Sequence, residues 1–560
     1  MTMNDKNEFK IAYFSMEIAL ESDIKTYSGG LGVLAGDILR SAADLRLPMV
    51  GITLLNDQGY FKQEVDKEGN QIEHPASGYN FSKLKKLSQQ ITIKIGDDDV
   101  RLAVWEYSLN GKDGFEAPVY LLDSNLPSND HKYHHLTGQL YGGDKEYRLL
   151  QEIILGRGGV KLVKELGYGN VDKFHINEGH GALATVELFL NSSQQGNMAK
   201  RREVQEKCVF TTHTPVRAAH DVFPLELVLK YQPDFPHKLP DLLHNKFVNM
   251  TKLALYFSEY VNGVALSHKK LSSKMFPEHI IHAVTNGVHS RTWTSPEFQK
   301  LYDKHIPNWR NSSLSLRNAF IIPTAEVWNA HQKAKQTLFN YIEKKQGIKL
   351  NLNTFTIGFA RRFTPYKRAD LLLTDIKRLI KMQKKCGKIQ IIYAGKAHPR
   401  DKGGKELIKK VFEIKDKYRD KVKIVFLEGY DMDLAKTLIS GVDIWLNTPL
   451  PPNEASGTSG MKAAHNGVLH LSTFDGWWRE GYIRKRTGWT IRGDKEDEKF
   501  GDINQRDAKS LYDLLEKEIL PRYYKSPERW RQSMRFAIGV NASFFNTERV
   551  VQQYAQEAYL

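Results

Sequence analysis

The chain has 560 residues, 41% hydrophobic, 26% charged and 11% aromatic, with 20 prolines and a mean hydropathy of -0.48; this suits roughly two to four domains and excludes a disordered or fibrous chain. No apolar run nears the ~20 residues of a membrane-spanning helix. Met1–Glu8 lacks a signal-peptide apolar core, and Cys208 and Cys386 form no CxxC pattern or disulfide framework, so a reducing, cytoplasmic location is expected. The formal net charge of +16 points to an anionic partner: nucleic acid, a membrane surface or a phosphate-bearing small molecule.

Strand-length apolar runs alternate with helical patterns, which predicts α/β architecture with parallel sheets. The first strand is Ile11–Ser15, followed by Gly29-Gly30-Leu31-Gly32, a helix over Val33–Leu47 and a strand over Met49–Leu55. Gln90–Ile95, Val100–Tyr107 and Pro118–Leu122 read as strands of a hairpin-like excursion, and helix returns over Lys145–Leu166. Thr285-Asn286-Gly287 has turn chemistry, and Glu326–Lys345 reads as a polar helix. A second alternating block follows: strand Phe355–Ala360, helix Ala369–Gln383, strand Ile389–Ala394, helix Gly404–Tyr418 and strand Lys423–Leu427. Lys377–Lys388 is basic in the manner of a solvated helix face. The expected division is a Rossmann-like domain over 1–287, a second over 288–540, and a C-terminal helix over 541–560 returning to the first. Ligands of such sheets sit at the carboxyl ends of the strands, so a site drawn from loops of both halves is expected.

Four groups of residues suit chemistry there. The glycine loop at Gly30 lets backbone amides approach an anion at a helix start, or is simply a tight turn. Asn177-Glu178-Gly179-His180 and Thr212-His213-Thr214 follow apolar strands and can face a polyhydroxylated ligand, although an isolated His213 also suits a structural role. A metal is not expected, since spacing of five puts His175 and His180 on different faces. Arg361-Arg362-Phe363-Thr364-Pro365-Tyr366-Lys367-Arg368 gathers four cations where a strand leads into a helix, suiting phosphate. Glu454-Ala455-Ser456-Gly457-Thr458-Ser459-Gly460-Met461-Lys462 leads small residues into a helix, with an amine able to form a Schiff base about one turn in.

With Gly59–Gln63, Thr285–Gly287 and Gly395-Lys396-Ala397, these motifs resemble, in order over most of the chain, the α-glucan (glycogen, starch and maltodextrin) phosphorylases in their compact prokaryotic form. The resemblance implies a GT-B fold, two Rossmann-like domains facing a central cleft, and pyridoxal 5′-phosphate linked to Lys462, with Thr458, Ser459, Gly460 and Arg361 around the cofactor phosphate. It places Arg362 and Lys367 on substrate phosphate with the Gly30 amide nearby. Glu454, Ser456, Gly457, Tyr366, His213, Asn286, Glu178 and His180 then lie at or near the reacting glucosyl unit; Lys462, Arg362, Lys367 and His213 are the catalytic candidates. The implied reaction is reversible phosphorolysis of a terminal α-1,4-linked glucose, with retention, giving α-D-glucose 1-phosphate. The cofactor phosphate acts beside inorganic phosphate as a proton relay, so no carboxylate pair is needed.

The chain departs from the long mammalian and plant forms at Glu178 (Asp there), at Thr364-Pro365 (His-Glu there) and at Trp477-Trp478, either a sugar platform or core. Its length implies no N-terminal regulatory extension; a homo-oligomer fits the family. Two other readings are a sugar-nucleotide-dependent glucosyltransferase of the glycogen synthase type, which shares the architecture but does not need the Ser456–Lys462 cofactor seat, and an inactive glucan-binding homologue. No recognition module supports nucleic acid, and nothing points to a membrane.

Overall fold

The computed structural model describes residues 9–76, 79–169, 171–216, 220–239, 246–492 and 502–560; Met1–Glu8, read above for targeting signals, lies outside them. The chain divides into two compact units. One holds the chain up to Phe61, Pro75–Thr285 and Val550–Leu560, and the other Lys62–His74 and Asn286–Arg549.

The first unit is built on one nine-stranded sheet. Its strands are β1 (Ile11–Phe14), β2 (Met49–Leu54), β3 (Lys85–Ile95), β4 (Asp98–Asn110), β5 (Glu116–Asp123), β6 (Lys173–Asn177), β7 (Cys208–Thr211), β8 (Tyr260–Gly263) and β9 (His282–Ala283). The order is β9-β8-β7-β6-β1-β2-β5-β4-β3, parallel from β9 to β5 and antiparallel at β4 and β3. Strands β1 and β2 are buried on both faces, as parallel strands covered by helices must be. The hairpin-like excursion is thus the antiparallel edge of the main sheet, and β3 alternates exposed and buried residues at its end as an edge strand does.

Two elements differ from the sequence reading here. The helix after the glycine loop starts at Gly30 and ends at Asp44, where Arg46 turns the chain at a φ of +54°. The Lys145–Glu165 helix is interrupted by a π-helical turn at Ile154–Gly158.

The second unit is a six-stranded parallel sheet of β10 (Phe355–Ala360), β11 (Ile389–Ala394), β12 (Lys423–Leu427), β13 (Ile444–Asn447), β14 (Leu469–Thr473) and β15 (Gly488–Ile491). Its order β12-β11-β10-β13-β14-β15 reverses direction between β10 and β13, the doubly wound pattern. The helix expected from Ala369 begins only at Ile376, after 3-10 turns at Pro365–Lys367 and Leu371–Leu373. Arg368 breaks the helical path: at a φ of +49° it aims its guanidinium at the carbonyls of Thr448 and Pro449 (2.9 Å each) and at Asp507 (2.7 Å).

The hairpin Lys62–Val65/Gln71–His74 counts with this second unit, although the sequence reading ran one domain through it. Gln63 donates to Gly395 O (2.9 Å), Gln71 to Ala397 O (3.0 Å), and Ala397 N returns a bond to Gln71 (2.9 Å). The Gln63 and Gly395–Ala397 motifs therefore belong to one structure, the binding of this hairpin to the loop after β11.

The C-terminal segment is broken as well. A π-helical turn ends at Ala542 in the second unit, and the helix Thr547–Tyr554 carries the chain into the first unit. There Tyr554 OH meets Thr211 Oγ1 at 3.0 Å and Asn262 Nδ2 at 3.1 Å, and Tyr559 OH meets His175 Nδ1 at 2.6 Å. His175 is wholly buried among them, a structural histidine. Trp477 and Trp478 are core, 2% and 0% exposed. No helix among the described residues is long and apolar enough to cross a membrane.

Candidate active site

In the second unit the sheet order reverses between β10 and β13, where open parallel sheets bind their ligands. Arg361 leaves the end of β10, and Asn447 closes β13 and accepts a bond from the Arg361 guanidinium. The same guanidinium donates to Glu454 Oε2 at 2.6 Å, and Lys367 Nζ donates to that oxygen at 2.6 Å. Lys367 also stands 4.5 Å from the Tyr366 ring centroid. Burial alone would raise the Glu454 carboxyl, but the two cations outweigh it and hold it at about 2. Arg362, next in the chain after Arg361, is exposed. Of the four cations read from the motif, Arg368 is engaged with the backbone and Asp507 and is no ligand candidate.

The loop carrying Glu454 is fixed from behind. Asp475 accepts from Glu454 N at 2.9 Å on one oxygen and from Gly476 N at 2.9 Å on the other. Gly476 has a φ of +54°, and a Cβ there would fall 2.2 Å from Ser456 O, so only glycine lets the two loops close together. Burial lifts the Asp475 carboxyl to about 7, with the Glu454 carboxylate adding to it. Its folded pKa then exceeds the unfolded value of about 3.9. Between those values the native chain holds a proton that the unfolded chain has released, so this contribution to stability is lost as pH rises toward 7. Melting temperatures of wild type and Asp475→Asn measured from about pH 4.5 to 7.5 should show the wild type losing ground to the variant. Parallel curves would mean that Asp475 does not titrate in that window.

Lys462 lies on the six-residue helix Ser459–Ala464. Its side chain is buried, with Nζ 3.8 Å from the Trp293 ring centroid. The Asn466 amide donates both to Lys462 O (3.0 Å) and to Trp293 O (2.8 Å), which fixes amine and ring together. Thr458 opens this helix without a side-chain cap bond, Ser459 Oγ accepts from Trp445 Nε1 at 3.0 Å, and Gly460 is buried in the first turn. Gly457 takes a φ of +75°, and Ser456 Oγ reaches Gly457 O at 3.4 Å. Asn286, buried, gives its carbonyl to Arg549 at 3.3 Å.

In the first unit the loops after β1, β6 and β7 meet. Glu17 follows β1 and accepts from Ser28 N (2.6 Å) and Gly29 N (3.1 Å), so an internal carboxylate already takes the amides that precede Gly30. Gly30 itself is exposed at the helix start. Glu178, at a φ of +75°, directs its carboxylate to Gly179 N (2.9 Å), His213 N (2.8 Å) and Thr214 Oγ1 (2.9 Å). Its carboxyl stays below the usual range because His213, His180 and these amides outweigh burial. Strain at a non-glycine residue with positive φ costs of order 1–3 kcal/mol and is typical of functional loops. His213 Nε2 meets Asn177 Oδ1 at 2.7 Å, and burial lowers the ring to about 4, so it is neutral at pH 7. His180 Nε2 lies 3.3 Å from Asp221 Oδ2, which also pairs with Arg148 at 3.2 Å. Among the described residues no group of three or more His, Cys, Asp or Glu is placed to hold a metal.

Glu17, Trp293, Asn447 and Asp475 were not singled out from sequence. Three of them sit at or just past strand ends, a position that marks them in retrospect, whereas Trp293 carries no such signal.

The carbohydrate phosphorylase family model matches residues 238–480. The chain is 39% identical to a maltodextrin phosphorylase of Thermococcus litoralis, the match covering 99% of the chain and 71% of that protein. It is 35% identical to a glycogen phosphorylase of Aquifex aeolicus, over 98% of the chain and 86% of the relative. A glycogen phosphorylase of Mycobacterium tuberculosis is 34% identical, over 98% and 70% respectively. The chain belongs to the carbohydrate phosphorylase family.

Proposed function

We propose that the protein is an α-glucan phosphorylase that uses pyridoxal 5′-phosphate and inorganic phosphate to remove terminal α-1,4-linked glucose as α-D-glucose 1-phosphate, with retention, and does so reversibly. The GT-B plan belongs to the same proposal and is supported by the doubly wound sheet in each unit. The observation that carries it is the buried Lys462 amine behind a small-residue loop, in the unit whose strand reversal bears Arg361, Lys367 and Glu454.

These residues fit the cofactor. Lys462 offers a primary amine shielded from water against Trp293. Arg361 has a buried Nε with no hydrogen-bond partner among the described residues, a donor suited to a phosphate oxygen. Bound there, pyridoxal phosphate supplies a second phosphate able to hold and return a proton. The chain's own part is electrostatic. Two phosphates repel by about 1 kcal/mol per unit-charge pair at 4 Å in water and by several times more in a drier site. Arg361, Arg362 and Lys367 are the cations available to offset that repulsion, while Tyr366, Ser456 and Gly457 line the loops that would hold the glucosyl unit. In the first unit the neutral His213 ring suits hydrogen bonding to a sugar hydroxyl. Stoichiometric pyridoxal phosphate in the small molecules released by denaturation, with glucose 1-phosphate formed from maltodextrin and phosphate, tests the proposal.

Arg362→Ala should raise the KM for phosphate about 10- to 100-fold, since a charge-assisted hydrogen bond contributes about 1.5–3 kcal/mol. Its KM for glucan should change far less. Steady-state kinetics with each substrate varied in turn checks this; a weakened glucan term with unchanged phosphate dependence would put Arg362 on the sugar.

A further inference from the structure

Arg361 and Lys367 share one anion, the single oxygen Oε2 of Glu454, at 2.6 Å each, and all three groups are largely buried. Two such cations cannot stay unpaired: removing the partner of a buried charge is strongly destabilising. They are also the cations on which the phosphorylase reading places the cofactor and substrate phosphates. We propose that Glu454 is a resident counter-anion of the phosphate site, sharing Arg361 with the cofactor phosphate and neutralising Lys367 until inorganic phosphate arrives, then yielding Lys367 and turning to the glucosyl unit. This rests on the phosphorylase reading.

The surroundings suit an exchange of side-chain partners on a fixed backbone. Glu454 N is tied to Asp475 Oδ2 at 2.9 Å, so the loop is anchored. The second carboxylate oxygen faces Gly457, where even a Cβ would stand at 3.3 Å from Oε1, so the absent side chain leaves the carboxylate room to rotate. The Arg361 guanidinium retains Asn447 as a neutral partner throughout. Because carboxylate and phosphate compete for the same donors, Glu454 weakens phosphate binding, and it couples phosphate arrival to recognition of the sugar. Glu454 would then be more than a sugar ligand, since a pure sugar ligand leaves phosphate affinity in the absence of glucan unchanged.

The test is calorimetric titration of inorganic phosphate into the full-chain protein loaded with pyridoxal phosphate, without glucan. Glu454→Gln, which removes the competing charge, should bind phosphate at least about tenfold more tightly than wild type, a difference of about 1.4 kcal/mol. Glu454→Asp, which keeps the charge on a shorter arm, should fall between the two and serves alone if the Gln variant does not fold. In turnover the Gln variant should show a lower KM for phosphate together with a lower kcat. Phosphate affinity unchanged or weaker in both variants overturns the proposal. Failure of the wild type to form glucose 1-phosphate from maltodextrin overturns the phosphorylase reading instead, and the phosphate titration does not depend on turnover.

Discussion

Lys462→Ala should leave a folded protein that retains no pyridoxal phosphate and forms glucose 1-phosphate at least about a thousandfold more slowly, a loss of about 4 kcal/mol of transition-state stabilisation. The reasoning starts from burial. Lys462 is 7% exposed, on a short helix reached through Gly457 and Thr458, and its Nζ faces the Trp293 ring at 3.8 Å. A cation over an indole contributes about 0.5–2 kcal/mol, so deleting the amine costs little stability, and circular dichroism should be unchanged. Lys462→Arg separates the roles of charge and nucleophile: a guanidinium can keep the contact with Trp293 but cannot hold the cofactor covalently, so it too should lose both cofactor and activity. Mass spectrometry of the molecules released on denaturation reads cofactor retention independently of turnover. Stoichiometric cofactor and ordinary phosphorolysis in either variant would falsify the assignment of Lys462.

What the sequence revealed and what it hid follow from the range of the interactions. Arg361, Lys367, Glu454 and Lys462 were legible because each lies where an apolar strand gives way to polar or small residues, and strand ends are where an open sheet keeps its ligands. Asn447 and Asp475 occupy equally telling positions, but each is a single polar residue whose partner in the cluster lies in another loop: Arg361 is 86 residues from Asn447, and Glu454 is 21 from Asp475. Periodicity cannot pair such residues. Arg368 was misread for the opposite reason. Its place in a run of cations suggested an anion site, yet its left-handed backbone turns the guanidinium inward onto Thr448 and Pro449. The excursion Lys62–His74 was hidden because it comes soon after an apolar strand of one unit, while the contacts that tie it to the other are remote in sequence: Gln63 and Gln71 bond to the loop after β11, Val65 N to Glu428, and Glu73 pairs with Lys405. The glycine loop was legible as a loop but not as one whose leading amides, those of Ser28 and Gly29, an internal carboxylate, Glu17, already takes.

Asp443→Asn should destabilise the protein by about 3–5 kcal/mol at pH 7, the usual effect of stripping a buried charge of its partner. Asp443, Lys335 and His331 are all fully buried; Asp443 accepts from Lys335 Nζ at 2.7 Å and from Thr356 N at 2.7 Å, and meets His331 Nε2 at 2.9 Å. The cluster joins the helix Thr324–Gln346 to β10 and β13, the strands that lead into Arg361 and end in Asn447, so it is part of what holds the switch point in shape. The pH dependence has a definite sign. Burial already lowers the Lys335 amine despite Asp443, and without the carboxylate it falls further. In the window between its folded and unfolded values the unfolded chain binds the extra proton, so stability rises with pH there. The variant should therefore regain part of its deficit as pH is raised from 7 toward 10. In acid the gap should narrow for the other reason: Asp443, held below its usual value chiefly by Lys335 and His331 against the effect of burial, loses its contribution as pH falls through its folded pKa. Denaturant unfolding followed by tryptophan fluorescence across this range checks both limbs. A second variant, Asp443→Leu with Lys335→Met, removes the charges together and should recover most of the loss, because apolar replacement of a whole buried pair is often neutral or better. A pair variant as unstable as Asp443→Asn would mean that the hydrogen bonds from Lys335 Nζ to Thr354 O (2.9 Å) and from Thr356 N to Asp443, rather than the unpaired charge, set the cost.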